Sequence, residues 1–190
     1  MRLPIQPPAD EEADRVEVTR MRRRHLRGVM AIERQVYPRP WSPNLFLSEM
    51  TELRNKAYLV AKLDREVIGY GGVMAYGDEA HITTIAVDPA HHRSKVGTRL
   101  LYELVSQGIA MGAKAVSLEV RVSNWGAIRL YSRFGFRPVG TRKGYYQETN
   151  EDALVMWTDS IQTGEYRRML QRIVDEVPEG IRPDAPNDRT

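Results

Sequence analysis

Cysteine is absent from the 190 residues of this chain, which excludes disulfide bonds, a thiolate nucleophile and a zinc site built on cysteine. Its four histidines include no pair at the helical spacing that metal ligands use, so we expect no metal site. Long apolar runs are also missing. None approaches the roughly 20 residues that a membrane-spanning helix needs, and the N-terminus lacks the apolar centre of a signal peptide. We therefore expect a cytoplasmic protein that is not bound to a membrane.

Neither sign of charge is in large excess, because 28 basic residues stand against 25 acidic ones. Hydrophobic residues make up 42% and charged residues 28%, a balance typical of a globular domain. The dense basic patch is RMRRRHLR, residues 20–27. It has two interpretations: a solvated helix face, or a surface that approaches RNA or a ribosome by electrostatic attraction. The excess is small and dispersed, so we do not expect direct binding of nucleic acid.

Helical and strand-like periodicities alternate along residues 16–157 and predict one mixed α/β domain. Before it, the Pro-rich acidic stretch 1–15 is expected to be a flexible arm. After it, residues 158–190 are expected to form an amphipathic helix and a disordered tail. Helices are predicted at residues 22–36, at 42–50, in GTRLLYELVSQGIAMG and in NWGAIRLYSRFG; strands are predicted in RVEVTRM, AYLVAKL, EVIGYGGVMAY, AHITTIAVDP, AVSLEVRV, FRPVGTRKGYYQ and DALVMWTD.

The C-terminal helix must bury one face, because its apolar residues recur at steps of three and four. Packing on its own domain is the default expectation, and a dimer or partner contact through residues 161–177 is the alternative. The apolar residues are Tyr166, Met169, Leu170, Ile173, Val174 and Val177.

The stretch VDPAHHRSKVGTRLLYELV, residues 87–105, is typical of a strand end, a tight loop and a helix start. Unpaired N–H groups at a helix start, together with the helix dipole, bind anions such as pyrophosphate. The stretch matches neither the Walker A loop nor the dinucleotide fingerprint. A basic loop that merely caps a surface helix is the alternative interpretation.

Residues 92–97 of that stretch resemble the pyrophosphate loop of the GNAT acetyltransferases, [QR]-x-x-G-x-[GA] after a strand ending in V-x-P. His92 and Lys95 depart from the pattern. The stretch LEVRVSNWGAIRLYSRFGF, residues 118–136, is similar to the family's second motif at every defined position. The PWS and IAVDP segments and the pair Tyr145–Tyr146 resemble one subfamily, the RimI-like ribosomal-protein alanine N-acetyltransferases. The resemblance covers residues 16–157.

The resemblance implies the GNAT acyl-CoA N-acyltransferase fold. That fold has a central, mostly antiparallel sheet with a splayed parallel strand pair and helices on both faces. It also implies acetyl-CoA as the acetyl donor, with its pantetheine arm in the gap between the splayed strands and its diphosphate on the loop. The cofactor-binding residues carried over in this way are Ile85, Ala86, Val87, Arg93, Ser94, Lys95, Val96, Gly97, Thr98 and Asn124.

Lys95 stands where the family's loop has its first glycine. At a φ below zero a lysine there is tolerated easily, whereas at a φ above zero it costs on the order of 1 kcal/mol. In either case we expect acetyl-CoA binding to be weakened but to survive.

Two catalytic residues are implied by the second motif. Glu119 would be the general base for the incoming amine, and Tyr131 would protonate the leaving thiolate. The alternatives are a Glu119 that faces solvent or pairs with Arg121 or Arg142, and a Tyr131 that only fills the core. Asn124 also suits the N-cap of the following helix.

The acceptor implied by the resemblance is a protein N-terminus, namely the N-terminal alanine of a ribosomal protein. Trp41 and the pair Tyr145–Tyr146 would form the walls of its site, although Trp41 suits a helix-packing role equally well. Two other functions stay open. One is acetylation of a small amine or a lysine side chain, and the other is a non-catalytic acyl-CoA-binding or ribosome-associated module.

Overall fold

A single sheet organises the computed structural model, which describes residues 15–51 and 54–183. Within these ranges the sheet has seven strands in the order β1-β2-β3-β4-β5-β7-β6. Every neighbouring pair is antiparallel except β4 and β5, which are parallel. The strands are β1 (Val16–Arg20), β2 (Lys56–Leu63), β3 (Glu66–Tyr76), β4 (Glu79–Val87), β5 (Ala115–Arg121), β6 (Arg137–Tyr146) and β7 (Glu151–Thr158).

Five α-helices and three short 3-10 turns connect the strands of the described residues. Ser42 caps the second helix through its side chain, as its position before Pro43 predicts. The helices are α1 (Leu26–Val36), α2 (Pro43–Glu49), α3 (Val96–Ala110), α4 (Trp125–Arg133) and α5 (Gly164–Asp175); the 3-10 turns are Arg23–His25, Pro89–His91 and Glu179–Ile181. No helix in the described parts of the chain is long and apolar enough to cross a membrane.

Helices cover both faces of the sheet. Successive residues of a strand point to opposite faces, so neighbouring residues of one strand contact different helices. In β2, Leu59 packs into the apolar cluster that holds α3, α4 and α5, whereas Tyr58 and Val60 pack into the cluster that holds α1 and α2. The mixed sheet with helices on both faces is therefore the predicted arrangement.

The parallel pair β4–β5 separates soon after it begins. Only Glu79–His81 of β4 pair with residues 115–117 of β5, although both strands continue well beyond that point. A bulge in β4 contributes to the divergence, since Gly72 pairs with Thr84 and the next residue, Val73, pairs with Ile82. The splayed pair implied by the resemblance is thus present, and it opens a gap in the middle of the sheet.

The C-terminal helix α5 packs on its own domain. Thr163 caps it by accepting a hydrogen bond from the Tyr166 N–H, and the Tyr166 hydroxyl donates to the Phe134 carbonyl at 2.9 Å. Its buried residues join the main core, so its apolar face is already covered within the chain. A dimer or partner contact through residues 161–177 would have to use the polar side, and it remains a prediction. The predicted arm (1–15), apart from residue 15, and the tail beyond residue 183 lie outside the described residues.

Candidate functional site

Two cavities meet at the gap between β4 and β5. The sheet cavity, of about 310 Å³, extends from the diverging strands to α1 and the β6–β7 turn. The loop cavity, of about 530 Å³, lies against the loop after Val87 and the starts of α3 and α4. Ile85, Asn124 and Tyr131 line both cavities, so the two adjoin at the gap.

Short hydrogen bonds hold the loop after Val87 in place. The His92 Nε2 lies 3.0 Å from the Val87 carbonyl, and the Ser94 hydroxyl donates to the His91 carbonyl at 2.6 Å. The Asp88 carboxylate accepts from the Ala90 N–H at 2.8 Å. His92, one of the two departures from the family pattern, therefore closes the loop.

Lys95 occupies the N-cap of α3 with a φ of +70°. This is the left-handed region, so Lys95 carries the backbone penalty of order 1 kcal/mol. The first bond of the helix runs from the Arg99 N–H to the Lys95 carbonyl at 3.0 Å. The N–H groups of Val96, Gly97 and Thr98 precede that bond and thus need acceptors from outside the helix. The loop and helix start therefore present the donors that an anion needs.

Eight of the ten residues expected to bind the cofactor line the loop cavity, and two do not. The Ser94 hydroxyl is bonded within the loop, and the Val96 side chain is buried in an apolar cluster with Leu100. Any ligand contact from these two must come from their backbone. Those that line the cavity are Ile85, Ala86, Val87, Arg93, Lys95, Gly97, Thr98 and Asn124.

Glu119 lies in the wall of the sheet cavity with its side chain only 10% exposed. Its Oε2 is 3.1 Å from His81 Nε2, and its Oε1 is 3.0 Å from a terminal nitrogen of Arg142. The ion pair between Glu119 and Arg142, which the sequence suggested as an alternative to a catalytic role, is therefore present. Arg121 instead reaches Glu148 at 2.7 Å.

Tyr131 is buried, and its ring packs 6.1 Å from that of Phe136, centroid to centroid. It lines both cavities, and no hydrogen-bond partner of its hydroxyl occurs among residues 15–51 and 54–183. Burial raises the pKa of the Tyr131 hydroxyl above its ordinary value. The side chain thus fills the core and also presents a protonated hydroxyl at the junction of the cavities. Asn124 caps α4 by accepting from the Ala127 N–H, and it lines the same junction.

Aromatic side chains wall the outer part of the sheet cavity. Trp41 packs its ring 5.2 Å from that of Phe46, so it is a packing anchor as well as a wall residue. The Arg121 guanidinium lies 3.9 Å from the centre of the Tyr146 ring and also binds Glu148. Arg121 therefore joins β5 to the β6–β7 turn. Burial raises the pKa of Tyr146 to about 12.

Glu33, Tyr37 and His81 are among the residues of the sheet cavity that sequence reasoning missed. Glu33 is buried and accepts from the Tyr70 hydroxyl and, at 2.9 Å, from the Trp41 N–H. Burial raises the pKa of its carboxyl. A signal existed, because Glu33 falls four residues after Val29 on the apolar side of α1.

Tyr37 follows α1 and donates its hydroxyl hydrogen to the Ile85 carbonyl at 3.1 Å. Ile85 is one of the residues expected to bind the pantetheine arm, so this backbone oxygen already has one protein partner. A carbonyl oxygen has two lone pairs and accepts a second bond. The contact narrows the gap at this point but leaves Ile85 in the lining of both cavities.

The chain belongs to the acetyltransferase (GNAT) family, whose model matches residues 26–136. The fold and the enzyme class expected from the sequence are thereby confirmed: the protein is an N-acetyltransferase. A putative ribosomal protein bS18-alanine N-acetyltransferase from Bacillus subtilis is 39% identical over 140 residues, which are 74% of this chain and 93% of that protein. The corresponding enzyme of Escherichia coli K12 is 35% identical over 129 residues, covering 66% and 84% of the two chains.

Among solved structures, the ribosomal-protein-S18-alanine N-acetyltransferase of Escherichia coli superposes with a TM-score of 0.70 at 29% identity. The match covers 79% of this chain and 97% of that one. The similarity therefore extends over nearly the whole of the related enzyme. The RimI-like character expected from the sequence is confirmed by these relatives.

Proposed function

We propose that the protein transfers an acetyl group from acetyl-CoA to the N-terminal amine of a protein in the cytoplasm. The proposed acceptor is the N-terminal alanine of a ribosomal protein. The observation that carries the proposal is the pair of adjoining cavities at the β4–β5 gap, with Glu119 in the wall of one and Tyr131 lining both. The names of the relatives from Bacillus subtilis and Escherichia coli support the choice of acceptor.

The residues of the loop cavity fit acetyl-CoA. The N–H groups at the start of α3, with Arg93 and Lys95 beside them, suit a diphosphate. The part of β4 that does not pair with β5 has an open edge there, at which backbone groups between Ile85 and Val87 can meet the pantetheine amides. When bound, acetyl-CoA supplies an acetyl group activated as a thioester.

Glu119 and Tyr131 have complementary roles in the proposed reaction. The Glu119 carboxylate accepts the proton of the incoming ammonium, directly or through a water molecule, so that the amine can attack. An N–H group near Val87 stabilises the charge that develops on the thioester oxygen. The Tyr131 hydroxyl, which keeps its proton because it is buried, then protonates the departing sulfur as the C–S bond breaks. The second proton that the nitrogen loses as the amide forms returns to the Tyr131 oxygen.

The sheet cavity suits a narrow, extended acceptor. Its walls are aromatic, from Trp41 on one side to Tyr145 and Tyr146 on the other, and they lead to Glu119 at the strand gap. A chain terminus with a small first residue fits between such walls more readily than a bulky one. These walls therefore favour a small first residue such as alanine or serine.

The acceptor class is tested by offering three substrates with acetyl-CoA. These are an alanine-initiated peptide, the same peptide with a blocked N-terminus and an internal lysine, and a panel of small amines. We expect one acetyl group on the free α-amine, located by fragment mass spectrometry. Preferential reaction of the small amines or the lysine would contradict the proposed acceptor. No reaction at all, with salt-sensitive RNA binding, would favour the non-catalytic alternative.

The catalytic roles are tested with Glu119→Gln and Tyr131→Phe. Each variant is expected to fold and to lose at least about tenfold in kcat, which corresponds to roughly 1.4 kcal/mol of barrier. Tyr76→Phe is the matched control, because Tyr76 is 82% exposed at the end of β3 and lines neither cavity of the site. If a variant keeps the wild-type kcat, the residue that it replaces has no role in the proposed mechanism.

A further inference from the structure

His81 lies at the last paired position of β4 and β5, where the strands begin to separate. Its Nε2 is 3.1 Å from the Glu119 Oε2, and its Nδ1 is 2.9 Å from the Ser117 Oγ. The side chain is 33% exposed and lines the sheet cavity. The imidazole ring of His81 therefore contacts the proposed base, Glu119, and is also partly exposed to solvent.

The partners of His81 determine which ring nitrogen carries the proton in the neutral form. The Ser117 Oγ lies 2.7 Å from the Glu79 Oε1, and a carboxylate only accepts, so the Ser117 hydroxyl donates to Glu79. The Ser117 oxygen is then left as the acceptor for an N–H on Nδ1 of His81. Nε2 of the neutral ring consequently carries the basic lone pair, and its 3.1 Å contact with the Glu119 Oε2 becomes a hydrogen bond when a proton lies between the two atoms.

The other oxygen of Glu119 faces a positive charge. Arg142 approaches Oε1 at 3.0 Å, so this oxygen is already held in an ion pair. The Oε2 atom, on the side of His81, is therefore the oxygen placed to take a proton from the amine. The nearest basic atom is the His81 Nε2, on the opposite oxygen.

We propose that Glu119 and His81 accept the proton of the acceptor amine as one unit, with Ser117 and Glu79 as positioning residues. This inference rests on the proposed function. An N–H bond of the acceptor ammonium breaks and its electron pair stays on the nitrogen, which then attacks the thioester. The proton passes to Glu119 Oε2 and settles on His81 Nε2. The imidazolium is held between Glu119 and Ser117, and it releases the proton to solvent through the sheet cavity.

The charges around His81 suit a transient cation. Glu79 from β4 and Glu119 from β5 are negative, while Arg142 from β6 contacts the far oxygen of Glu119 and not the ring. The buried Glu33 and the half-buried Tyr37, from the α1 side, line the same cavity. The titratable lining is completed by Tyr131, Tyr145, Tyr146, Arg39, Arg121 and Glu148.

The test measures kcat and KM across pH with the alanine-initiated peptide for wild type, His81→Gln and His81→Phe. A glutamine amide keeps a hydrogen-bonding nitrogen near Glu119 but does not hold a proton, whereas phenylalanine removes both properties. We expect both variants to lose at least about tenfold in kcat near pH 7. The loss should shrink to within about twofold near pH 9, because an α-amine with a pKa of about 7.7–8.0 is then already free. The KM for acetyl-CoA should not change, since His81 does not line the loop cavity.

Glu79→Gln and Asp78→Asn form a matched pair of variants. Glu79 is linked to His81 through Ser117, while its neighbour Asp78 pairs with Lys114 on the surface at 2.8 Å. We expect Glu79→Gln to lose about threefold in kcat near pH 7 with the same recovery at high pH, and Asp78→Asn to match wild type.

Three results would overturn the inference. Wild-type rates in His81→Gln would mean that the ring only holds Glu119 in place. A deficit that is equal at low and high pH would mean a structural defect and no role in proton transfer. If wild type itself acetylates none of the amines, the proposed function fails and this inference fails with it, and that result is distinct from the first two.

Discussion

Replacing Lys95 with glycine is expected to stabilise the protein, because Lys95 holds a left-handed backbone at the start of α3. Its φ is +70°, and a side chain in that region costs about 1–2 kcal/mol. Glycine avoids this cost but loses about 0.5–1 kcal/mol more through its greater freedom in the unfolded chain. The expected net gain in the free energy of unfolding is about 0.5–1 kcal/mol, which corresponds to a rise in Tm of about 1–4 °C for a domain of this size.

The matched control is Lys95→Ala, which removes the same charge but keeps the left-handed penalty. Thermal and urea unfolding should therefore rank Lys95→Gly above both wild type and Lys95→Ala. Equal stability of the two variants would refute the reasoning from backbone strain. It would mean that the charge, and not the conformation, sets the stability at this position.

The same variants separate the two ways in which Lys95 affects the cofactor. Lys95 lines the loop cavity, so both variants lose a cation beside the proposed diphosphate. The Kd for acetyl-CoA, measured by calorimetry, should rise about two- to fivefold in Lys95→Ala, the range expected for one half-exposed ion pair, and less at high salt. Lys95→Gly restores the residue of the family pattern and should bind at least as tightly as wild type. A wild type that binds no acetyl-CoA, with binding restored in Lys95→Gly, would show instead that the side chain blocks the loop.

Three further variants test other parts of the structure. Burial raises the pKa of Glu33 above its ordinary value of about 4.3, so the folded protein binds this proton more tightly than the unfolded chain does. The free energy of unfolding should therefore fall as the pH rises from about 4.3 towards the pKa of the folded state. Glu33→Gln should flatten that fall in urea unfolding, and parallel curves would contradict it. Tyr166→Phe leaves a buried carbonyl without its donor and should lower the free energy of unfolding by about 1–2 kcal/mol; a wild-type Tm would count against this packing of α5. Arg121→Lys loses the planar contacts to the β6–β7 turn and should raise the KM for the peptide about three- to tenfold without changing that for acetyl-CoA. An unchanged peptide KM would remove the turn from the acceptor site.

Local patterns predicted much of the fold. The run EVIGYGGVMAY has the bounds of β3, Glu66–Tyr76, because β-branched and aromatic residues fill a strand that is buried along most of its length. Gly112 and Gly135, predicted to end helices, adopt φ values of +89° and +81°. These features depend on residues that are adjacent in the sequence, so the local sequence pattern predicts them.

Features that depend on distant contacts were not predictable in this way. The left-handed backbone at Lys95 belongs to a loop that His92 closes onto the Val87 carbonyl. His81 meets β5 only through the register of two parallel strands, across 36 residues to Ser117. Periodicity places a residue on a face of its strand, but it does not specify which partner lies opposite.

The most direct test of the whole account is a crystal structure of the protein with CoA and an alanine-initiated peptide. The account predicts that the pantetheine arm lies between β4 and β5 beyond His81, that the diphosphate accepts from the N–H groups at the start of α3, and that the sulfur lies beside the Tyr131 hydroxyl. A CoA molecule bound outside the gap, with β4 and β5 unchanged around it, would contradict the central claim.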